Sequence, residues 1–195
     1  MGKGRLEAFS DGVIAIIITI MVLEMKLPHG ADFAALKELL PVFLSYVLSF
    51  VYVGIYWNNH HHVLQATRRI DGSVLWANLH LLFWLSLLPF ATDWMDENHF
   101  EALPTAFYGV ILLGAGLAYL LLERRLVACN GNDSVLARAI GKDHAGKLSV
   151  LLYAAAIPLA FVNQWIADGI YVLNAAIWIV PDRRIEKSFK AFTDE

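Results

Sequence analysis

Six apolar stretches, at roughly 7–27, 39–58, 74–92, 103–122, 147–163 and 165–181, leave almost no sequence in which a water-soluble core can be built. About twenty apolar residues is the length a helix needs to cross a bilayer's hydrocarbon. Lipid offers no partner for open backbone groups, so such stretches are helical. The sequence therefore predicts an all-α membrane protein with six transmembrane helices per chain, folded as one domain over residues 1–195. Asn163, Gln164 and Asp168 interrupt the last two stretches. Composition points the same way, because 58% hydrophobic residues and a mean hydropathy of +0.54 exceed what a soluble domain of 195 residues carries. The first stretch is expected to remain in the mature chain, since Asp11 lies within it and no small-residue cleavage site follows. Cys129 stands alone, which excludes an intrachain disulfide and a cysteine-based metal site.

Charge supplies the orientation. With six spans, thirteen of the fifteen Lys and Arg residues fall on one side, among them Lys3, Arg5, Arg68, Arg69, Arg183 and Arg184; only Lys26 and Lys37 fall opposite. The positive-inside rule then places both termini in the cytoplasm. The other side receives Asp32, Asp93, Asp96, Glu97, Glu101 and Asp168, either as solvated loop charges or as an acidic mouth that concentrates cations. Pro28 closes the first stretch, Asn130-Gly131-Asn132-Asp133 breaks the chain after the fourth, and Pro89 and Pro158 are candidate kinks. Trp57, Trp76, Trp94, Trp165 and Trp178 lie near the ends of the stretches, as an interfacial belt does.

The first stretch has two faces. At about 100 degrees per residue, Val13, Ile16, Ile20 and Leu23 share a stripe with Gly12 and Thr19 at its edge. Asp11 points away from that stripe, which predicts that the acid faces its own subunit. An acid at membrane depth is expensive and by default belongs to a network or a functional site. In the second stretch Ser45, Ser49, Tyr52 and Tyr56 recur at spacings of four and three, a polar face that either bonds neighbouring helices or lines water. Asn78 and His80 lie at a similar, cytoplasmic depth, so Asp11 has candidate partners in Arg5, His60, His61, Asn78 and His80. The run His60-His61-His62 is a poor metal site, because consecutive helical residues diverge and the i, i+4 spacing of helical ligands is missing. No nucleophile elbow, phosphate loop or pair of acids occurs in the spans, so no enzyme activity is expected.

Arg5-x-x-x-Phe9-Ser10-Asp11-Gly12-Val13, followed by Ala15-Ile16, Thr19 and Leu23-Glu24, resembles the first helix of the prokaryotic relatives of transmembrane protein 175, a family of potassium-permeable channels. Asn78-Leu79, Leu88-Pro89-Phe90-Ala91-Thr92 and Pro181-Asp182-Arg183-Arg184 extend the likeness along the chain. The resemblance implies first helices around a central pore, with bulky aliphatic residues in place of the carbonyl filter of ordinary potassium channels; the chain has no TVGYG. By motif, Ile16 is the constriction, Leu23 a second ring and Ile20 between them. Thr19 and Ser45 are the hydroxyls expected to support selectivity. Arg5, Ser10, Asp11, His60, His61, Asn78 and His80 form the expected structural network that anchors the pore helix. The resemblance also implies a homotetramer in the bacterial inner membrane, contacting lipid and permeant monovalent cations, with K+ as cargo, no cofactor, no metal and no nucleic acid. A proton-coupled secondary transporter is the alternative, built on Asp11 and the histidines. Its hallmarks, inverted repeats and broken helices, are not convincing in this sequence.

Overall fold

A computed structural model describes residues 2–141 and 144–179. Lys142 and the terminal Arg183, Arg184, Lys187 and Lys190 used above to orient the chain lie outside the described residues. Among the described residues the chain forms α1 (Lys3–Glu24), α2 (Phe33–Glu38), α3 (Leu40–Gln65), α4 (Gly72–Ser86), α5 (Leu88–Glu97), α6 (Ala102–Asn130), α7 (Val135–Ile140), α8 (His144–Ala160) and α9 (Gln164–Ile179). Four passages are long and apolar enough to span a membrane: α1, α3, α4 with α5 read as one passage over Gly72–Glu97, and α6. The fifth and sixth stretches are helical too, but α8 and α9 are only 17 and 16 residues long.

Local chemistry sets these boundaries. Pro89 has no N–H to offer Leu85, so the ladder slips at Leu87, whose amide bonds Trp84 O at 3.2 Å, and resumes when Ala91 N reaches Leu87 O at 3.0 Å. Pro158 lies inside α8 without breaking it. The carboxylates of Asp32 and Asp71 cap α2 and α4 through Ala35 N and Val74 N, at 2.9 and 3.0 Å. Asn130 ends α6 and gathers the preceding loop, its Oδ1 accepting from Arg68 N and Arg69 N at 2.9 Å each. Gly131 follows with φ 94°, a conformation that favours glycine. α3 continues past residue 58 to Gln65, so His60, His61 and His62 are helical and Trp57 is interior to the helix instead of at its end.

α6 is the centre of the bundle. Of its most apolar window 61% is buried, against 28% for α1 and for α3, and it packs on α4, α5, α8 and α9. Two glycines permit this. A Cβ on Gly114 would sit 2.3 Å from the Trp84 indole, and one on Gly109 would sit 2.1 Å from the Tyr171 hydroxyl. The polar face of α3 turns inward: Ser45, Ser49, Tyr52 and Tyr56 are all buried. Ser49 bonds Thr92 at 2.8 Å and Tyr108 at 3.0 Å, while Tyr52 donates to Tyr171 O at 2.6 Å. These hydroxyls join helices, which settles the packing alternative for most of that stripe. α1 stays peripheral, resting on α3, α4 and α5.

Candidate functional site

The side of α1 that meets the bundle carries Leu6, Ser10, Ile14, Ile17 and Met21, all buried at spacings of three and four. Ser10 is the polar member of this stripe. Its hydroxyl donates back to Leu6 O at 2.8 Å and accepts from Asn78 Nδ2 at 3.0 Å. With the amide nitrogen so used, Asn78 Oδ1 faces His60 Nε2 at 2.7 Å, and a neutral His60 must then carry its proton on Nε2. Ser10, Asn78 and His60 are 0%, 0% and 2% exposed, so one buried chain of hydrogen bonds ties α1 to α4 and α3.

The remaining residues expected in that network go elsewhere. Asp11 does not face its own subunit's interior; it is exposed and accepts from Trp57 Nε1 at 2.9 Å. The reason is angular: burial centres on Ser10, Ile14 and Ile17, and the next residue is turned about 100 degrees off that line. His61 stacks on Trp57 with centroids 6.0 Å apart, making a second, outer cluster of Asp11, Trp57 and His61. His80 accepts from Trp84 Nε1 at 3.0 Å on the far side of α4. Arg5 is exposed and forms no side-chain bond among the described residues. Trp57 is the member that sequence reasoning missed, having been assigned to the interfacial belt; its spacing of four from His61 is the available signal.

Both ends of α1 are held as well. Lys3 Nζ donates to Gln65 O at 3.1 Å, at the end of α3. Just past the opposite end, Lys26 pairs with Glu97 of α5. The ammonium of Lys26 is held above its usual range, first by its hydrogen bond to Glu97 and then by that carboxylate's charge.

Fixed in this way, α1 presents a face that none of the other described residues covers. Ile16 is 59% exposed, Ile20 39% and Leu23 79%, while Thr19 is exposed and donates to Ile16 O at 2.9 Å. Val13, at the edge of this stripe, is half-buried instead. A groove of about 450 Å³ runs between Ile16 and Ile20 on α1 and Pro89 and Phe90 on α5, with Glu24 and Asp93 also in its lining. Ser45 does not stand behind this face. It is 5% exposed inside the bundle and bonds Asp96 Oδ1 at 2.6 Å. His60, His61 and His62 do not converge, and no group of metal-ligating side chains forms among the described residues.

The family described as endosomal/lysosomal potassium channel TMEM175 matches residues 5–89. A potassium channel from Chryseobacterium sp. (strain P1-3) is 54% identical over 190 residues, covering 97% of this chain and 99% of the relative. A potassium channel from Streptomyces collinus (strain DSM 40733 / Tue 365) is 33% identical, covering 83% of this chain and 84% of the relative. The endosomal/lysosomal proton channel TMEM175 of Gallus gallus is 31% identical over 168 residues, and the match spans only 32% of that longer protein. In three dimensions the fold matches the crystal structure of a lysosomal potassium-selective channel TMEM175 homolog from Chamaesiphon minutus, with a TM-score of 0.81 and 28% identity over 91% of this chain and 96% of that one. With this coverage and identity, the chain belongs to the TMEM175 family and is a multi-pass membrane protein of a channel family.

Proposed function

We propose that the chain is a potassium-permeable cation channel of the bacterial cell membrane, assembled from four copies whose α1 helices line one central pore. The observation that carries this reading is the division of α1 into a bonded face and a bare one. Ser10, Lys3 and the Lys26–Glu97 pair fix the helix to its own subunit, while Ile16, Thr19, Ile20 and Leu23 are left free on the far side. Likeness to bacterial potassium channels over nearly the whole chain supports the choice of ion. Within this reading the single domain covers residues 1–195, α8 and α9 are the fifth and sixth spans, and both termini are cytoplasmic. Sixteen residues of helix reach only about 24 Å, so α9 spans with the local bilayer thinned or with its flanking residues included.

Selectivity has to arise without ligands from the constriction. An Ile16 ring offers no oxygen, so a cation passes it with part of its water shell or waits until the ring wets. The oxygen of Thr19 is exposed one turn on, and its proton is already committed to Ile16 O, which leaves the lone pairs to meet a hydrated cation. Ser45 supports the outer end of the bundle through Asp96 and takes no part in this step.

Reconstitution into liposomes with opposed K+ and Na+ gradients tests the proposal. A channel dissipates the K+ gradient down to low temperature without saturating and gives unitary steps in a planar bilayer. Saturable flux that requires a proton gradient would support the coupled-transporter reading and contradict ours.

A further inference from the structure

On the side that the positive-inside rule makes cytoplasmic, the helix ends enclose a pocket of unpaired charge. α3 ends at Gln65, α4 begins at Gly72 and α6 ends at Asn130. Where the α3–α4 loop meets the turn after α6 there is a pocket of about 390 Å³, lined by Ala66, Arg68, Arg69, Asn130, Asp133 and Ser134. That is within the size range of small-molecule sites, about 300 to 1,000 Å³. Trp76, one turn into α4 and 76% exposed, marks the headgroup level of the membrane beside this loop.

Asn130 builds the pocket and is used up in doing so. Its Oδ1 accepts from Arg68 N and Arg69 N, and its Nδ2 donates to Arg69 O at 3.1 Å and Leu126 O at 2.8 Å. The loop backbone is thereby pinned to the end of α6, and the two guanidiniums are left as its uncommitted donors. Gly131 turns the chain back, and Ser134 N closes the turn on Gly131 O at 3.1 Å, which brings Asp133 and Ser134 into the same lining. Ser134 Oγ accepts from Ala137 N at 3.1 Å, so its proton is available to a further acceptor. Arg68, Arg69 and Asp133 are all exposed, yet no ion pair joins them and neither guanidinium makes a hydrogen bond among the described residues. Asp71, the other acid of this loop, is committed elsewhere: its Oδ1 accepts from Ser73 Oγ at 2.7 Å and from Val74 N at 3.0 Å as it caps α4.

The pocket thus offers two fork-shaped cationic donors, a hydroxyl and a separate carboxylate. A plain anion would suit the guanidiniums but would also meet Asp133. A ligand carrying a phosphate and a primary ammonium a few bonds apart satisfies both, because guanidiniums take phosphate oxygens in pairs and an ammonium donates to a carboxylate. From these observations we infer that the pocket binds the headgroup of an aminophospholipid of the phosphatidylethanolamine type from the adjoining leaflet, its phosphate held by Arg68 and Arg69 and its ammonium by Asp133. Basic pockets at the cytoplasmic ends of membrane helices are suited to lipid phosphates, and Asp133 adds the choice among headgroups. A lipid held there clips the α3–α4 loop to the turn between α6 and α7. The inference requires that the chain spans a membrane with this end in the cytoplasm, and it is independent of the pore.

Native mass spectrometry of the detergent-solubilised protein, titrated with dioctanoyl phosphatidylethanolamine or dioctanoyl phosphatidylglycerol, tests it. The wild type should carry several-fold more of the ethanolamine lipid at equal concentration. Arg68→Gln combined with Arg69→Gln should lower that occupancy several-fold, and Asp133→Asn should bring it down to the level of the glycerol lipid. A wild type that takes both lipids equally or prefers phosphatidylglycerol, or an ethanolamine-lipid occupancy unmoved in both variants, would overturn the assignment. Phosphorylethanolamine without acyl chains and inorganic phosphate serve as competitors. Full displacement by the former at the lipid's own concentration would make the ligand a soluble amine phosphate, and by the latter a simple anion; either result overturns the lipid reading. Melting curves without added lipid check that the variants fold. If the double arginine variant does not, the ratio of the two lipids on Asp133→Asn decides alone, and an unchanged ratio overturns the role of Asp133.

Discussion

Thr19 and Asn78 illustrate how differently two polar side chains behave in the same membrane domain. Thr19 is exposed and bonded only to its own helix, so removing its hydroxyl leaves no orphan inside the bundle. Thr19→Ala should fold and assemble like the wild type while moving the reversal potential under K+/Na+ gradients toward the Na+ value, with a smaller change in conductance; Thr19→Ser should retain the wild-type potential. Asn78 is fully buried between Ser10 and His60. Asn78→Ala strips both of a partner, a cost of about 1 to 3 kcal/mol for each group left unsatisfied. A lowered melting temperature with unchanged ion preference in the surviving channels is the expected outcome, and differential scanning fluorimetry alongside flux assays checks it. Polar residues recurring at one depth were enough to nominate His60 and Asn78 from sequence, while Ser10 came only from the resemblance of the first-helix motif. Asp11 points away from the Ile16 stripe and bonds Trp57 of its own chain, but it is exposed and does not join the buried Asn78 and His60, because periodicity alone does not say which of the two neighbours Ser10 and Asp11 a helix buries.

At the scale of elements, the apolar stretches became helices almost where hydropathy put them, since lipid permits little else. What hydropathy could not supply was the contact order. α6 is no more apolar than α1, with hydropathies of 2.0 and 2.1, yet α6 is the core and α1 the edge. Small residues make the difference, through Gly109 and Gly114, against which Tyr171 and Trp84 are laid. Gly114→Ala should therefore be destabilising even though alanine is the better helix former. The new methyl meets the Trp84 ring across the helix interface, and overpacking of this kind costs about 1 to 3 kcal/mol. A melting temperature at or above that of the wild type would contradict the packing of α4 on α6. The end of α3 was also underestimated from sequence, because three consecutive histidines read as a polar boundary, whereas His60 turns inward to Asn78 and His61 lies on Trp57.

On the proposed reading, one chain of the whole molecule is an incomplete object. Its first helix is held at both ends and along one side, and among the described residues the other side exposes aliphatic residues and a groove. The proposed pore of four such helices would account for both features. The central claim is that Ile16 forms the narrowest ring, and single-channel recording of Ile16→Asn beside the wild type, with the oligomer's mass checked in the same preparation, tests it most directly. An amide at that ring supplies hydrogen-bond partners where there were none, so it should wet the constriction, raise the unitary conductance and reduce the preference for K+ over Na+. An assembled Ile16→Asn channel with wild-type conductance and wild-type selectivity would place Ile16 outside the ion path and contradict the account.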